Sequence, residues 1–467
     1  MPRTKTLISL AILLILLACE FPRRAFAQPG APDPAMDADI LAPSRQGLLE
    51  ELSSSRTLAG NHITILDHGP SAFQTWRSIL SSARTSIYLQ TYFLEDEGMC
   101  SNLIDILKEK AAQGVKVAVI ITRYSQLGKA PLTYLELKKA GIDVIMIGNI
   151  GFPKEIQKEH NSWVDRVRED ARIFRSLPRE APFRQWFEDE KDGELMVDYA
   201  LHEKMVIVDG TVAIIGGRNV SDSYFFWWRD IDVALEGPIV GDVIQAFERN
   251  WHDFGGDPLP RPAFETKKPL ADGVGARLTQ SRPWLGQYHN LDAVCGAIDM
   301  AAERVYISSQ YLALPPRLTQ SLADAARRGV DVRILTNSLE TGREVNFALC
   351  HFISLNYYGD LMRSGVSIYE YQSPPGIKLR PYYHAKQFII DGKYLLIGSF
   401  NLSIRSSYLE SELMLAVTEP SLAATQEKKF LEDLEYRAQL VGRDELEQKQ
   451  KENELLMGIA KRLEILY

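Results

Sequence analysis

Apolar positions in this chain fall into short β-branched runs that alternate with amphipathic stretches ending in glycine. LKEKAAQGVKVAVIIT reads as a helix that stops at Gly114 and a buried strand after it. LADAARRGVDVRILTN repeats the arrangement around Gly329, and LKKAGIDVIMIG and LMRSGVSIYEY give each half a second helix-glycine-strand unit. Upstream, the stretch from Ala83 to Gln90 parallels the one from Ala302 to Gln310. Alternating strands and helices with apolar strands predict an α/β fold, its sheet covered by helices. The same order met twice predicts one fold duplicated. Two such halves facing each other across a pseudo-twofold leave a cleft between them as the default site. The predicted division is an N-terminal domain over 46–262 and a C-terminal domain over 263–424, with RPAFETKKPL interrupting the pattern near Pro260 to Pro269. Residues 28–45, rich in Pro, Ala and Asp, read as a linker, and 425–467, rich in Glu, Lys, Gln and Leu, as a helical tail. Residues 150–200 form a charged insert carrying Phe152, Trp163, Phe174, Phe183, Trp186 and Phe187. It reads either as an entrance touching lipid headgroups or as a helical elaboration.

A polar pattern is duplicated along with the apolar one. His202, Lys204 and Asp209 recur as His384, Lys386 and Asp391 with the same spacing. Asn219 and Asn401 each lie seventeen residues after their His, and an acid follows each Asn by eleven, Asp230 and then Glu412. Within each copy the apolar residues predict strand, tight turn, strand: Met205 to Val208 and Val212 to Ile215, then Phe388 to Ile390 and Tyr394 to Ile397. Strand alternation predicts that His202 and Lys204 share a face, as do His384 and Lys386. The glycine-containing turns Gly216-Gly217-Arg218-Asn219 and Gly398-Ser399-Phe400-Asn401 let backbone approach a ligand and aim an amide at it. Arg218 and Phe400 differ between the copies, which sets them apart from the shared chemistry.

Imidazoles beside ammonium groups suit an anion. Phosphoryl transfer needs neutralised equatorial oxygens, an in-line nucleophile and a proton for the leaving oxygen. Two Lys and two Asn can hold the oxygens. One His can attack phosphorus to give a phosphohistidine while the other protonates the leaving alcohol. Asp230 and Glu412 are expected to accept a hydrogen bond from the far ring nitrogens and fix their tautomers. Asp209 and Asp391, at the turns, are expected to be structural. Pseudo-symmetry leaves the nucleophile open; His202 is the first choice, with His384 as general acid and then base.

The paired His-x-Lys-x4-Asp motifs with trailing Gly-Gly/Ser-x-Asn resemble the phospholipase D superfamily, from about Asn61 to about Glu419. HEKMVIVDGTVAIIGGRNVSDSYFFWWRDIDVALEGP (from His202) and HAKQFIIDGKYLLIGSFNLSIRSSYLESE (from His384) look most like bacterial cardiolipin synthases and their relatives. The resemblance implies two phospholipase D-like α/β-sandwich halves with the active site between them. It also implies phosphatidyl transfer from a phospholipid to an alcohol or to water without metal or other cofactor. A monomer already contains both halves. Two positions depart from the pattern: Glu203 stands where a basic residue is common, and Ser403 where an Asp is common. The alternatives are a phospholipase D that hydrolyses its substrate to phosphatidic acid and an exported nuclease or other phosphodiesterase.

Composition changes this picture little. Hydrophobic content of 45% and charged content of 24% are ordinary for a globular chain of 467 residues. The net charge of −8 argues against non-specific nucleic-acid binding. Residues 1–27 read as an export signal, with Arg3 and Lys5 before the apolar run Leu7 to Ala18 and Ala25-Phe26-Ala27 as a cleavage site. Leu16-Leu17-Ala18-Cys19 allows lipidation at Cys19 instead, and an uncleaved anchor is the third form. A periplasmic or envelope location at a membrane surface follows from each. Cys100, Cys295 and Cys350 show no disulfide framework and no zinc spacing. The run Tyr224-Phe225-Phe226-Trp227-Trp228 cannot face one way, so part of it is expected to line the cleft. The segment from Val345 to Met362 reads as a core helix bearing a structural His351.

Overall fold

The computed structural model describes residues 38–122, 130–147, 200–259, 269–344, 347–372 and 381–464. The expected signal peptide, Cys19, most of the linker and all but the last residue of the insert lie outside them. The first half contributes strands Leu58–Leu66 (β1), Ser86–Thr91 (β2), Lys116–Thr122 (β3), Asp143–Ile147 (β4), Ala200–Leu201 (β5), Met205–Val208 (β6), Val212–Gly216 (β7) and Asp232–Glu236 (β8). The second contributes Val274–Ser281 (β9), Arg304–Ser308 (β10), Asp331–Asn337 (β11), Ser367–Tyr371 (β12), Gln387–Ile390 (β13), Tyr394–Gly398 (β14), Glu410–Val417 (β15) and Ala438–Leu440 (β16).

Hydrogen bonding orders the first half β4-β3-β2-β6-β7-β8-β1 and the second β12-β11-β10-β13-β14-β15-β9, with β16 added at its edge. In both, three parallel strands are followed by antiparallel ones. The halves join where β1 pairs with β9. The expected duplicated α/β architecture is therefore the observed one.

Burial explains the apolar runs. Every residue of β2, β6, β13, β14 and β15 is buried. Strands covered on both faces cannot alternate with polar residues. One inner cluster joins the halves, with Met205, Ile207 and Leu235 of the first packed among Ile389, Leu395 and Leu415 of the second. Two outer clusters lie under the helices of each half, one around Trp76, Leu103 and Val117, the other around Ile298, Leu322 and Ile353. A fully buried Ile or Leu contributes roughly 2 kcal/mol, so the inner cluster is a large part of what holds the halves together. Gly114 (φ +86°) and Gly329 (φ +90°) end their helices in the left-handed region.

Several elements differ from expectation. Ile40 and Leu49, the latter on helix Pro43–Ser53, belong to the core of the second half, and Arg45 donates to the Met300 carbonyl from within it. The stretch thought to be a tail begins earlier, as helix Pro420–Arg437, and buries Phe430 and Leu434 in the inner cluster. It follows β15 as helix Ile239–Asp253 follows β8, so it is part of the repeat. Helix Ala348–Arg363 is a core helix, with His351 buried near Glu370. Cys100, Cys295 and Cys350 are buried and unpaired.

Candidate active site

The two His-x-Lys segments lie just before β6 and β13 and not on them. They are nevertheless anchored: β5 pairs with β15, and the His202 amide donates to the Ser411 carbonyl at 3.0 Å, while the His384 amide donates to the Arg229 carbonyl at 2.8 Å. Each half's histidine is thus held by backbone of the other half. Lys204 donates through Nζ to the His202 carbonyl, and Lys386 to the His384 carbonyl at 2.6 Å. The geometry expected from a shared strand face comes instead from ammonium groups folded back on the preceding residues.

The carboxylates are crossed. His202 Nδ1 lies 2.9 Å from Glu412 Oε1, and His384 Nδ1 lies 2.6 Å from Asp230 Oδ2. Each histidine takes its acid from the opposite half. An Nδ1–H donated to carboxylate leaves Nε2 with its lone pair. Ser399 and Ser406 both donate to Glu412, and the Ile231 amide donates to Asp230 Oδ1 at 2.8 Å. Gly217 is required by this packing, because a Cβ there would meet Asp230 Oδ1 at 2.2 Å.

The rest of the set divides in two. Asn219 Oδ1 accepts from the Tyr92 and Phe93 amides, both at 3.1 Å, and from Thr91 Oγ1 at 3.3 Å. Asn401 Oδ1 is buried without a hydrogen-bond partner. Asp209 and Asp391, both at φ +53°, hold the start of a neighbouring strand. Asp209 accepts from the Arg84, Thr85 and Ser86 amides, and Asp391 from those of Ala302, Glu303 and Arg304. Neither reaches the histidines by any of these bonds. Arg218 is also structural, donating to the Leu66 carbonyl at 2.7 Å and pairing with Asp232 at 3.3 Å.

The two histidines have unlike surroundings. His384 is walled by Tyr224 (4.9 Å between ring centroids), Trp228 (5.5 Å) and Tyr382 (6.4 Å). The five-aromatic run makes a π-helical turn that sends Tyr224 and Trp228 to His384 and packs Phe225 and Phe226 on Phe73. Trp227 is left exposed. His202 contacts Tyr92 at 5.1 Å and has a second carboxylate, Glu410, at 3.9 Å. Sequence reading missed Glu410 and its partner Arg405, which donates to it at 2.9 Å. Their signal was available, since Glu410 precedes Glu412 by two on one strand and so shares its side. His202, Glu410 and Glu412 bring ligand atoms within 4.8 Å of one another, the one such group among the described residues. Arg405 already pairs with Glu410, and Lys204 lies near Glu412, so the trio is charge-compensated without an ion.

Burial dominates the electrostatics. His202 keeps 7% and His384 4% of its surface, and Lys204 and Lys386 still less. Desolvation lowers Lys204 to about 7, with Lys386 repelling it as well, and lowers Lys386 to about 8 against the pull of Asp230 and Glu412. Burial and then Lys204 hold His202 well below its ordinary value; burial and then Lys386 lower His384 to about 3. Burial raises Glu412 to about 7. For Asp230 burial is outweighed by His384 and Lys386, and its pKa is lowered.

A duplicated α/β fold with a crossed pair of His-x-Lys segments at its centre defines an enzyme of the phospholipase D superfamily. The sequence model described as "Cardiolipin synthase, PLD-like domain" matches residues 77–251 and 294–434, more than half of the chain. The chain belongs to that family. It is 27% identical over 423 residues to cardiolipin synthase A of Pseudomonas fluorescens (strain SBW25), covering 88% of this chain and 76% of that one. It is 24% identical over 404 residues to the cardiolipin synthase of Halalkalibacterium halodurans, covering 84% and 70%. Among solved structures, phosphatidylserine synthase of Haemophilus influenzae Rd KW20 superimposes with a TM-score of 0.62 at 12% identity, over 91% of this chain and all of that one. Polyphosphate kinase of Porphyromonas gingivalis gives 0.51 at 11% identity, over 92% of this chain and 57% of that one. At these identities the structural likenesses speak for the fold. No helix among the described residues is long and apolar enough to cross a membrane.

Proposed function

We propose that this enzyme is a phospholipid phosphatidyltransferase of the cardiolipin-synthase type, working through a phosphohistidine. The observation that carries the reading is the crossed pair of histidine–carboxylate contacts with a lysine folded against each. His202 is neutral at physiological pH, with Nε2 free to attack phosphorus while Nδ1–H is held by Glu412. The P–N bond forms as the P–O bond to the leaving alcohol breaks, and that oxygen takes a proton from His384 Nε2. The acceptor hydroxyl then attacks phosphorus and gives its proton to His384, and the P–N bond breaks. Lys204, Lys386, Asn219 and Asn401 hold the phosphoryl oxygens.

His384 is strongly disposed to be neutral in the empty site. As the P–O bond breaks, Lys386 Nζ, 3.1 Å from Nε2, can supply the proton that His384 hands to the leaving oxygen, and Asp230 at Nδ1 favours the charged ring. The phospholipid substrate, the membrane surface that supplies it and the export of the chain belong to the same reading. So does the division into an N-terminal and a C-terminal phospholipase D-like domain.

The test is mass spectrometry of lipids after incubation with phosphatidylglycerol vesicles, with His202→Ala and His384→Ala alongside. Cardiolipin plus glycerol, lost in both variants, is the expected result. Phosphatidic acid in its place, independent of added glycerol, would make the enzyme a hydrolase. An unchanged lipid profile from folded protein would refute phospholipid chemistry.

A further inference from the structure

Between His202 and Lys204 stands a fully buried carboxylate that the proposed chemistry does not use. Glu203 is 0% exposed. Its Oε2 accepts from Gln90 Nε2 at 2.7 Å and from Asn250 Nδ2, and its Oε1 accepts from Gln280 Nε2 at 2.8 Å and from Ser411 Oγ. Gln90 and Asn250 belong to the first half, on β2 and on helix Ile239–Asp253; Gln280 and Ser411 belong to the second, on β9 and β15. The amides also bond one another: Asn250 donates to Gln90 at 3.0 Å, and Gln280 donates to Asn250 at 3.2 Å. The matching position in the second half is Ala385, which brings no polar group. The clasp is therefore present on one side only.

Its placement is specific. Ser411 lies between Glu410 and Glu412, and its carbonyl accepts the His202 amide. One peptide unit thus carries the Glu203 contact, the His202 backbone contact and the Glu412 carboxylate. A buried carboxylate deprived of its four donors would be left desolvated and unsatisfied, so the junction has one preferred register.

Resting on the phosphatidyltransferase reading, we propose that Glu203 is a positioning residue that locks the two halves in the register aligning His202 with Glu412.

The test uses the full chain with phosphatidylglycerol vesicles. Glu203→Ala is expected to lower kcat about 30-fold with KM within about threefold, and to move the acid limb of the pH profile. Glu203→Gln is expected to return to within about fivefold of wild type, because neighbouring amides can turn an oxygen toward the new amide. Ser411→Ala is expected to lower kcat several-fold, and the Glu203→Ala/Ser411→Ala pair to be no worse than Glu203→Ala alone. An unchanged kcat and pH profile in folded Glu203→Ala, or additive effects in the pair, would overturn the proposal. If Glu203→Ala does not fold, Ser411→Ala decides alone, and wild-type kinetics there refute it. The downfield Nδ1–H proton resonance of His202, assigned by its loss in His202→Ala, gives a readout independent of turnover. It should shift or broaden in Glu203→Ala and persist in Glu203→Gln. A wild type without lipid product would sink the functional reading; an unmoved resonance in Glu203→Ala would sink the positioning role.

Discussion

Substrate binding should draw protons into this site. In the empty enzyme Lys204 sits at about 7 and Lys386 at about 8, chiefly through burial. At pH 7.5 the first ammonium is then roughly one-quarter populated and the second roughly three-quarters, about one proton shared over two lysines. A phosphodiester monoanion about 4 Å from each amine favours its charged form by about 4 kcal/mol at an effective dielectric near 20. That is enough to keep both lysines charged, so binding takes up about one proton. The assay is isothermal titration calorimetry with a non-cleavable phosphonate analogue of short-chain phosphatidylglycerol. Such a ligand stays monoanionic over this range and contributes no proton of its own. Repeating the titration in buffers of different ionisation enthalpy gives the proton count as a slope. The expected count is about one at pH 7.5 and falls toward zero at pH 6, where both lysines are already charged. Lys204→Met should bring the pH 7.5 value down to about one-quarter, since the remaining lysine is already roughly three-quarters charged there. Binding with no uptake at pH 7.5, or with proton release, would refute this reading of the electrostatics.

Further expectations follow from the crossed carboxylates and their supports. Asp230→Asn and Glu412→Gln should each lower kcat about 10- to 100-fold while leaving the circular dichroism spectrum unchanged. Because burial raises Glu412 to about 7, kcat/KM should fall as pH drops through 7, and Glu412→Gln should flatten that limb. Gly217→Ala should lower activity through misplacement of Asp230, seen as loss of kcat in a protein that still unfolds cooperatively. Asp391→Ala leaves three backbone donors without their acceptor and should cost about 2–4 kcal/mol in urea unfolding. The more exposed Asp209→Ala should cost less.

Local pattern carried a large part of this fold. The β-branched runs before Asp209 and Asp391 and the glycine stops at Gly114 and Gly329 are short-range signals, and tertiary packing did not override them. The repeat also marked the positions of both histidines, both lysines, the turn aspartates and the crossed acids. What it could not carry was the meeting of the halves. Equal spacing to Asp230 and Glu412 is silent on whether each acid serves its own histidine or the other. The clasp at Glu203 draws donors from positions 90, 250, 280 and 411, which no local window joins. Residues 425–467 read as a tail in sequence because the charged surface of helix Pro420–Arg437 obscures the buried Phe430 and Leu434. A comparison with the helix after β8 supplies the missing signal. The insert at 150–200 lies, but for its last residue, outside the described residues.

The crossed pairing makes each half a debtor to the other. A histidine whose carboxylate is carried 154 or 210 residues away on the opposite lobe cannot be tuned by changes within its own lobe. Expressed alone, neither lobe would hold half of the activity; each would present an imidazole without its acid and an acid without its imidazole. Two copies of a single lobe could satisfy the exchange only as a symmetric dimer, with both sides alike. Joining them in one chain is what frees the sides to differ, so that Trp228 can stand beside one histidine and Glu410 beside the other. Divergence between the lobes is then constrained in pairs: a drift at Asp230 is answered around His384, and one at Glu412 around His202.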